Sequence, residues 1–201
     1  LPGEGGTLEP YVTSFTVFSD LNVTDEGEAL VLASSAEKPN QVIGLDLESG
    51  NHTTLQQSIH LDLPEEAISI PEATSWPVPG GATAHGFFYP PASAVVTAPE
   101  GELPPLIVKS HGGPTSMTDA SFNLAIQFWT SRGFAYLDVN YGGSTGYGRA
   151  YRERLNGAWG IVDVEDCIAG AEWLAQQGRV DGERMAIKGG SAGGYTTLAA
   201  L

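Results

Sequence analysis

Of all the segments in this chain, Lys188-Gly189-Gly190-Ser191-Ala192-Gly193-Gly194-Tyr195 is the best suited to covalent chemistry. A serine hydroxyl is a weak nucleophile unless it stands clear of its neighbours and a base takes its proton. The spacing Gly189-x-Ser191-x-Gly193 meets the first condition, because small flanking residues let the backbone take a sharp, strained turn that exposes the hydroxyl. A helix starting directly behind Ser191 aims its N–H groups and positive dipole end at developing negative charge. A glycine-rich turn joining two elements is the plain alternative, and the triplet by itself does not exclude it. An apolar strand before the turn and a helix after it favour the nucleophile. The second segment is His111-Gly112-Gly113-Pro114, directly after the apolar run Leu106-Ile107-Val108-Lys109-Ser110. Glycines there let backbone N–H groups approach a substrate carbonyl, and the expected donors are the amides of Gly113 and Ala192. One donor of this kind contributes ~3–4 kcal/mol to a tetrahedral intermediate. The chemistry these two segments predict together is acyl transfer.

Both segments need a sheet to hold them, and the pattern from residue 83 onward provides one. Strands are predicted over 84–89, 106–110, 134–139 and 185–188, with helices over 119–132, 163–177 and from Ala192. Asp119 is the expected cap of the first helix, and Phe122, Leu124, Ile126, Phe128 and Trp129 supply its apolar faces. Val164, Ile168, Ala171, Leu174 and Ala175 form the stripe of the second, which Gly178 ends. Alternating strands and helices imply a mostly parallel α/β sheet. Residues 11–60 differ, with short β-rich runs at 11–18, 29–35, 41–47 and from Thr53, separated by turns such as Glu48-Ser49-Gly50-Asn51. They predict one antiparallel sheet resembling a propeller blade, which needs neighbouring blades to bury both faces. Pro64, Pro71, Pro77 and Pro79 interrupt residues 62–82, read as the passage between domains. The expected division is 1–75 for blade and linker and 76–201 for the α/β part.

The totals narrow the possible functions. The chain has 201 residues, 41% hydrophobic and 16% charged, ordinary globular values with room for a core. A net charge of −15 excludes nucleic acid as a partner, since phosphates are repelled. The charge is uneven, net −12 over residues 1–80, where Lys38 is the lone base, and net −3 over 81–201. A solvated acidic surface explains this, although an acidic vestibule would also draw in the cationic ends of peptides. No run of ~18 apolar residues is present, so no membrane span is expected. Cys167 is the single cysteine, which rules out a disulfide framework and leans toward a cytoplasmic location. It is expected in the core. The sequons at Asn22 and Asn51 are read as chance matches. Gly143-Ser-Thr-Gly-Tyr-Gly148 misses a phosphate-binding loop, because Arg149 and Ala150 stand where Lys and Ser or Thr belong. No metal cluster or cofactor is expected.

Four pieces in order carry a resemblance: His111-Gly-Gly-Pro114, Asn140-Tyr-Gly-Gly-Ser-Thr-Gly-Tyr-Gly148, Trp159-Gly-x-x-Asp163-x-x-Asp166 and Gly189-Gly-Ser-Ala-Gly-Gly194. The chain is similar to the prolyl oligopeptidase family of serine peptidases, especially its acylaminoacyl-peptidase and dipeptidyl-peptidase-like members. The likeness is strong over 83–201 and rests on the blade pattern alone over 1–82. It implies an α/β-hydrolase fold, preceded by the last blade of a β-propeller, and short peptides as substrates. By this resemblance Ser191 matches the nucleophile, and Gly112-Gly113 and Ala192 match the oxyanion positions. His111 stands where some members have a tyrosine that helps the oxyanion. Here it is expected to position the loop rather than to act as the base. Tyr141 opens a loop near substrate in relatives, and Gly142 replaces an arginine common there. Asp163 and Asp166 are expected as a helix cap and a first-turn acid.

The hydrolase order of catalytic residues is Ser, then Asp or Glu, then His. Ten residues follow Ser191, so the acid and base are expected beyond Leu201, and these 201 residues alone are expected to be inactive and poorly folded. His52, His60 and His85 are expected to be surface or packing residues. Two rival readings remain: a carboxylesterase-type serine hydrolase, which uses the same elbow, and a non-catalytic binding module.

Overall fold

The computed structural model describes residues 12–60 and 63–201. The chain divides into two compact units, Leu1–Asp62 with Ala120–Phe122, and Leu63–Asp119 with Asn123–Leu201. Among the described residues no helix is long and apolar enough to cross a membrane.

The first unit holds a four-stranded antiparallel meander: β1 (Val17–Val23), β2 (Glu28–Ser34), β3 (Gln41–Asp46) and β4 (His52–Gln57). Phe15, Val31, Ala33 and Ile43 form its buried cluster. The β3–β4 turn is set by Asp46, whose Oδ1 accepts from the Glu48 and Ser49 amides at 3.0 and 2.7 Å. Side chains of this kind bond the backbone two residues on and so specify a turn locally. The first strand begins later than the expected 11–18, and Tyr11 lies outside the described residues. Pairing runs from Val17↔Ser34 to Val23↔Ala29, past an irregularity between Ser19 and Asn22 where Asp20 has φ 55°. Cross-strand pairing with β2, rather than β propensity at 11–16, decides where this strand lies.

The second unit is built on a five-stranded sheet in the order β5-β6-β8-β7-β9. Its strands are β5 (Glu72–Pro77), β6 (Thr83–Tyr89), β7 (Leu106–Ser110), β8 (Ala135–Asn140) and β9 (Met185–Gly189). β7 pairs in parallel with both β8 and β9, while β5 and β6 run antiparallel. The second compact unit begins at Leu63 and so includes β5. Glu72–Pro77, expected inside a linker, pairs with Thr83–Tyr89 across the Gly80-Gly81 turn, where both glycines have φ near 80°. Proline is tolerated there because β5 is an edge strand and Pro77 its last residue.

Helices cover both faces of this sheet, and β8 is buried along its whole length, as central parallel strands are. On one face α3 (Val162–Gln176) packs Leu174 into the cluster of Trp76, Val108 and Leu137; on the other α1 (Leu124–Thr130) places Ile126 against Tyr89, Ile107 and Tyr136. α1 is shorter than expected and is capped by Asn123, whose Oδ1 accepts from the Ala125 amide at 2.9 Å, rather than by Asp119. Upstream, Thr118 is bonded through its backbone to the Asn140 side chain. The buried face of α3 runs through Val164, Cys167, Gly170, Ala171 and Leu174, and Ile168 points outward. α2 (Arg149–Glu153) was not anticipated, and α4 (Ala192–Ala199) follows β9.

Gly170 lets α3 approach the sheet closely. A methyl group there would lie 2.7 Å from the Trp76 ring, whose Nε1 donates to the Asp166 carbonyl at 2.9 Å. Gly170→Ala is expected to destabilise the fold by about 1–3 kcal/mol through overpacking. Urea unfolding of the intact gene product, followed by tryptophan fluorescence, measures this; an unchanged midpoint contradicts the tight packing.

Candidate active site

Ser191 lies at the junction of β9 and α4 with φ 53° and ψ −122°. A non-glycine residue held there costs ~1–3 kcal/mol, so the surroundings must over-determine it. The Gly193 amide donates to the Gly190 carbonyl at 3.0 Å, and the Gly194 amide to the Ser191 carbonyl at 3.0 Å. A side chain at Gly189 would overlap the Gly193 carbonyl, and one at Gly193 would overlap the Ser110 carbonyl. Ser110, buried at the end of β7, donates its hydroxyl to the Gly193 carbonyl at 2.8 Å. Glycine is thus required at 193 by the adjacent strand and at 189 by the Gly193 carbonyl and the Ser110 hydroxyl.

The segment that follows β7 reaches Ser191. A methyl at Gly112 would lie 3.3 Å from Ser191 Cβ and 3.9 Å from its Oγ. Gly113 has φ 129°, and its peptide bond to Pro114 is cis. The structure therefore brings Gly112 against Ser191, with Gly113 next in the chain and Ala192 opening α4.

His111 and Tyr141 meet each other. Their rings stack at 4.4 Å, and the Tyr141 hydroxyl donates to the His111 carbonyl at 2.8 Å. His111 Nδ1 donates to the Gly112 carbonyl at 2.8 Å, and Nε2 lies 2.7 Å from Ser144 Oγ. With the ring neutral, the single Ser144 proton is shared between Nε2 and the Tyr141 carbonyl, 2.7 Å away. Both ring nitrogens are thus engaged away from Ser191. Burial holds the His111 ring below its ordinary pKa and pushes the Tyr141 phenol up. His85 is occupied elsewhere, with Nδ1 2.8 Å from Ser75 Oγ and its ring on Tyr147 at 4.4 Å.

Asp163 and Asp166 do not take the expected cap and first-turn roles: the N-cap of α3 is Ile161, with no side-chain cap bond, and Asp166 lies beyond the first turn. Asp163 is fully buried and accepts from the Gly160 amide at 2.6 Å and from the Thr196 hydroxyl at 2.5 Å, tying α3 to α4 just behind the elbow. Asp166 takes two bonds from Arg154 at 3.0 Å each and one from the Gly142 amide at 2.6 Å. A side chain at 142 would meet Val162 at 2.7 Å and Arg154 at 2.8 Å, so glycine is demanded there. Neither Thr196 nor Arg154 stood out in the sequence, because their partners lie 33 and 12 residues away. Cys167 is buried, and burial raises its thiol pKa far from reactivity. Among the described residues no group of His, Cys, Asp or Glu is placed to hold a metal ion.

The α/β sheet and the strained turn at Ser191 are in place, and comparison with known proteins gives the family. The family model described as "Prolyl oligopeptidase family" matches residues 120–201. Dipeptidyl aminopeptidase BIII of Pseudoxanthomonas mexicana is 38% identical over 97 residues, 48% of this chain and 14% of its own. Acylamino-acid-releasing enzyme of Arabidopsis thaliana is 38% identical over 97 residues, 48% of this chain and 13% of its own. The solved structure of a puromycin-hydrolyzing peptidase of Mycobacterium tuberculosis superposes with a TM-score of 0.92 at 41% identity, covering 95% of this chain and 30% of that one. The chain belongs to the prolyl oligopeptidase family of serine peptidases. It spans less than a third of the length of each of these three relatives.

The site carries a pH signature. Burial depresses both His85 and His111, so the fold favours their neutral rings. Their contribution to stability is full above the ordinary pKa of ~6.5 and is lost as pH falls below it. The unfolding midpoint is expected to drop between pH ~7.5 and ~5, and His111→Gln to show a smaller drop than the parent. Equal drops in both proteins contradict the assignment.

Proposed function

We propose that this chain carries the nucleophile and oxyanion half of a serine peptidase site acting on short peptides. The observation that carries the reading is the strained turn at Ser191 with Gly112 packed against it. In the proposed reaction Ser191 Oγ attacks the scissile carbonyl and forms an acyl-enzyme. The amides of Gly113 and Ala192 hold the oxyanion, and water then releases the acid. The proton passes through a His oriented by an Asp or Glu, and both come from chain outside these 201 residues. The engagement of both His111 ring nitrogens supports this, as does the greater length of the relatives.

Release of a dipeptide or an acylated amino acid from a peptide N-terminus is the proposed activity, by likeness to relatives whose names state those activities. The four-stranded meander, with outer strands exposed along most of their length, supports a propeller blade preceding the catalytic unit. The lone, buried thiol of Cys167 fits a cytoplasmic location.

The test compares hydrolysis of free dipeptidyl, N-acetyl-aminoacyl and simple ester chromogenic substrates by the intact gene product. Amide cleavage that falls at least about a thousandfold in Ser191→Ala is the expected result, and the free-to-acetyl ratio names the subclass. Ester cleavage alone replaces the reading with a carboxylesterase, and no cleavage of any substrate replaces it with a binding module.

A further inference from the structure

The segment that brings Gly112 and Gly113 to Ser191 is held at both ends by a single neighbouring stretch of backbone, residues 140–145. At the near end, the Tyr141 hydroxyl donates to the His111 carbonyl at 2.8 Å, and Ser144 Oγ lies 2.7 Å from His111 Nε2. At the far end stands Asn140, the last residue of β8, with no solvent exposure. Its Oδ1 accepts from the Thr118 amide at 2.8 Å, and its Nδ2 donates to the Thr118 carbonyl at 2.9 Å. One side-chain amide thus satisfies both backbone groups of one residue, as a neighbouring strand would. Asp lacks the donor and Ala lacks both groups. Two further bonds reinforce this end: the Thr118 hydroxyl donates to Asp138 Oδ2 at 2.7 Å, and the Thr145 amide to the Ser116 carbonyl at 2.9 Å.

Between the clamps lie six residues, among them Gly112 and Gly113, which have the least intrinsic stiffness of any residue type. Within the span Ser116 packs on Gly113, where a methyl group would lie 2.8 Å from Ser116 Cβ, and the Ser116 carbonyl is itself held by the Thr145 amide, so the far clamp reaches to within three residues of the Gly113 amide. Its position relative to Ser191 is inherited from the two ends.

We propose that Asn140 is a positioning residue for the oxyanion donor, fixing through Thr118 the loop that presents the Gly113 amide to the carbonyl attacked by Ser191. The inference rests on the peptidase reading given above and deepens it. Asn140 makes no contact with the reacting atoms. Its effect is to remove the loop's freedom before the reaction, so that the donor needs no reorganisation when charge develops. A displacement of about 1 Å at such a donor is worth as much as ~100-fold in rate.

The test uses the intact gene product and measures kcat, KM and inhibition by a peptidyl aldehyde, which forms a tetrahedral adduct on a serine. For Asn140→Ala, kcat is expected to fall between about tenfold and ~100-fold, and aldehyde affinity to fall by the same factor. KM should stay within about twofold, because the substrate's ground state does not use the oxyanion donor fully. Asn140→Asp keeps the bond from the Thr118 amide but turns a carboxylate oxygen, with no solvent exposure, against the Thr118 carbonyl, so a loss at least as large as for Asn140→Ala is expected. A variant that folds and keeps the parent's kcat and aldehyde affinity, or raises KM alone, overturns the inference while the peptidase reading stands. If neither variant folds, Asn140 is a stability residue and the inference is wrong. A parent protein with no Ser191-dependent cleavage overturns the peptidase reading, and this inference with it.

Discussion

The contact on which the rest of the site depends is the close passage of the Ser110-His111-Gly112 backbone across the turn at Gly189–Gly193. Side chains at 189 or 193 are excluded by backbone carbonyls, and Ser110 bonds the Gly193 carbonyl at 2.8 Å. Two parallel strands, β7 and β9, thereby end with their loops pressed together. That contact holds Ser191 at a φ its side chain disfavours and places Gly112 beside its hydroxyl. The strain and the adjacency have one cause: neither loop is able to relax without displacing the other.

The polar groups buried around this contact act as ties between elements. Asp163 joins the start of α3 to α4 through Thr196, and Asp166 joins α3 to the loop after β8 through Gly142 and Arg154. Asn140 and Tyr141 join that loop to the segment bearing Gly113. Asp163, Asp166, Asn140 and Tyr141 each have directional partners, which offsets the cost of their burial. Apolar packing, centred on Trp76, Leu137 and Leu174, supplies cohesion without direction. The hydrogen bonds decide where the loops sit.

Much of this architecture is legible in the sequence wherever one local rule acts alone. β7 is legible to the residue, because an apolar run bounded by prolines and glycines reads as a buried strand in an α/β pattern. The elbow is legible because an apolar strand precedes Gly189-x-Ser191-x-Gly193 and a helix follows it, a context that the triplet alone does not supply. Misplacements occur where a rival cap or a distant partner overrides the expected signal. The first helix starts at Leu124 rather than after Asp119, because the Asn123 side chain caps it there. β5 was hidden by prolines that only an edge position tolerates. The roles of Asp163, Asp166 and Arg154 depend on side chains that meet through the fold, and one sequence carries no signal of such meetings.

The most direct test of the central claim is labelling by a fluorophosphonate probe, which reacts with a serine only where an activated hydroxyl and oxyanion donors coincide. The intact gene product should take up one probe per chain, located by mass spectrometry on the peptide bearing Ser191, and should lose that reactivity when unfolded. Absence of labelling in the folded protein, or modification at a different serine, contradicts the assignment of Ser191 and of the loop packed against it.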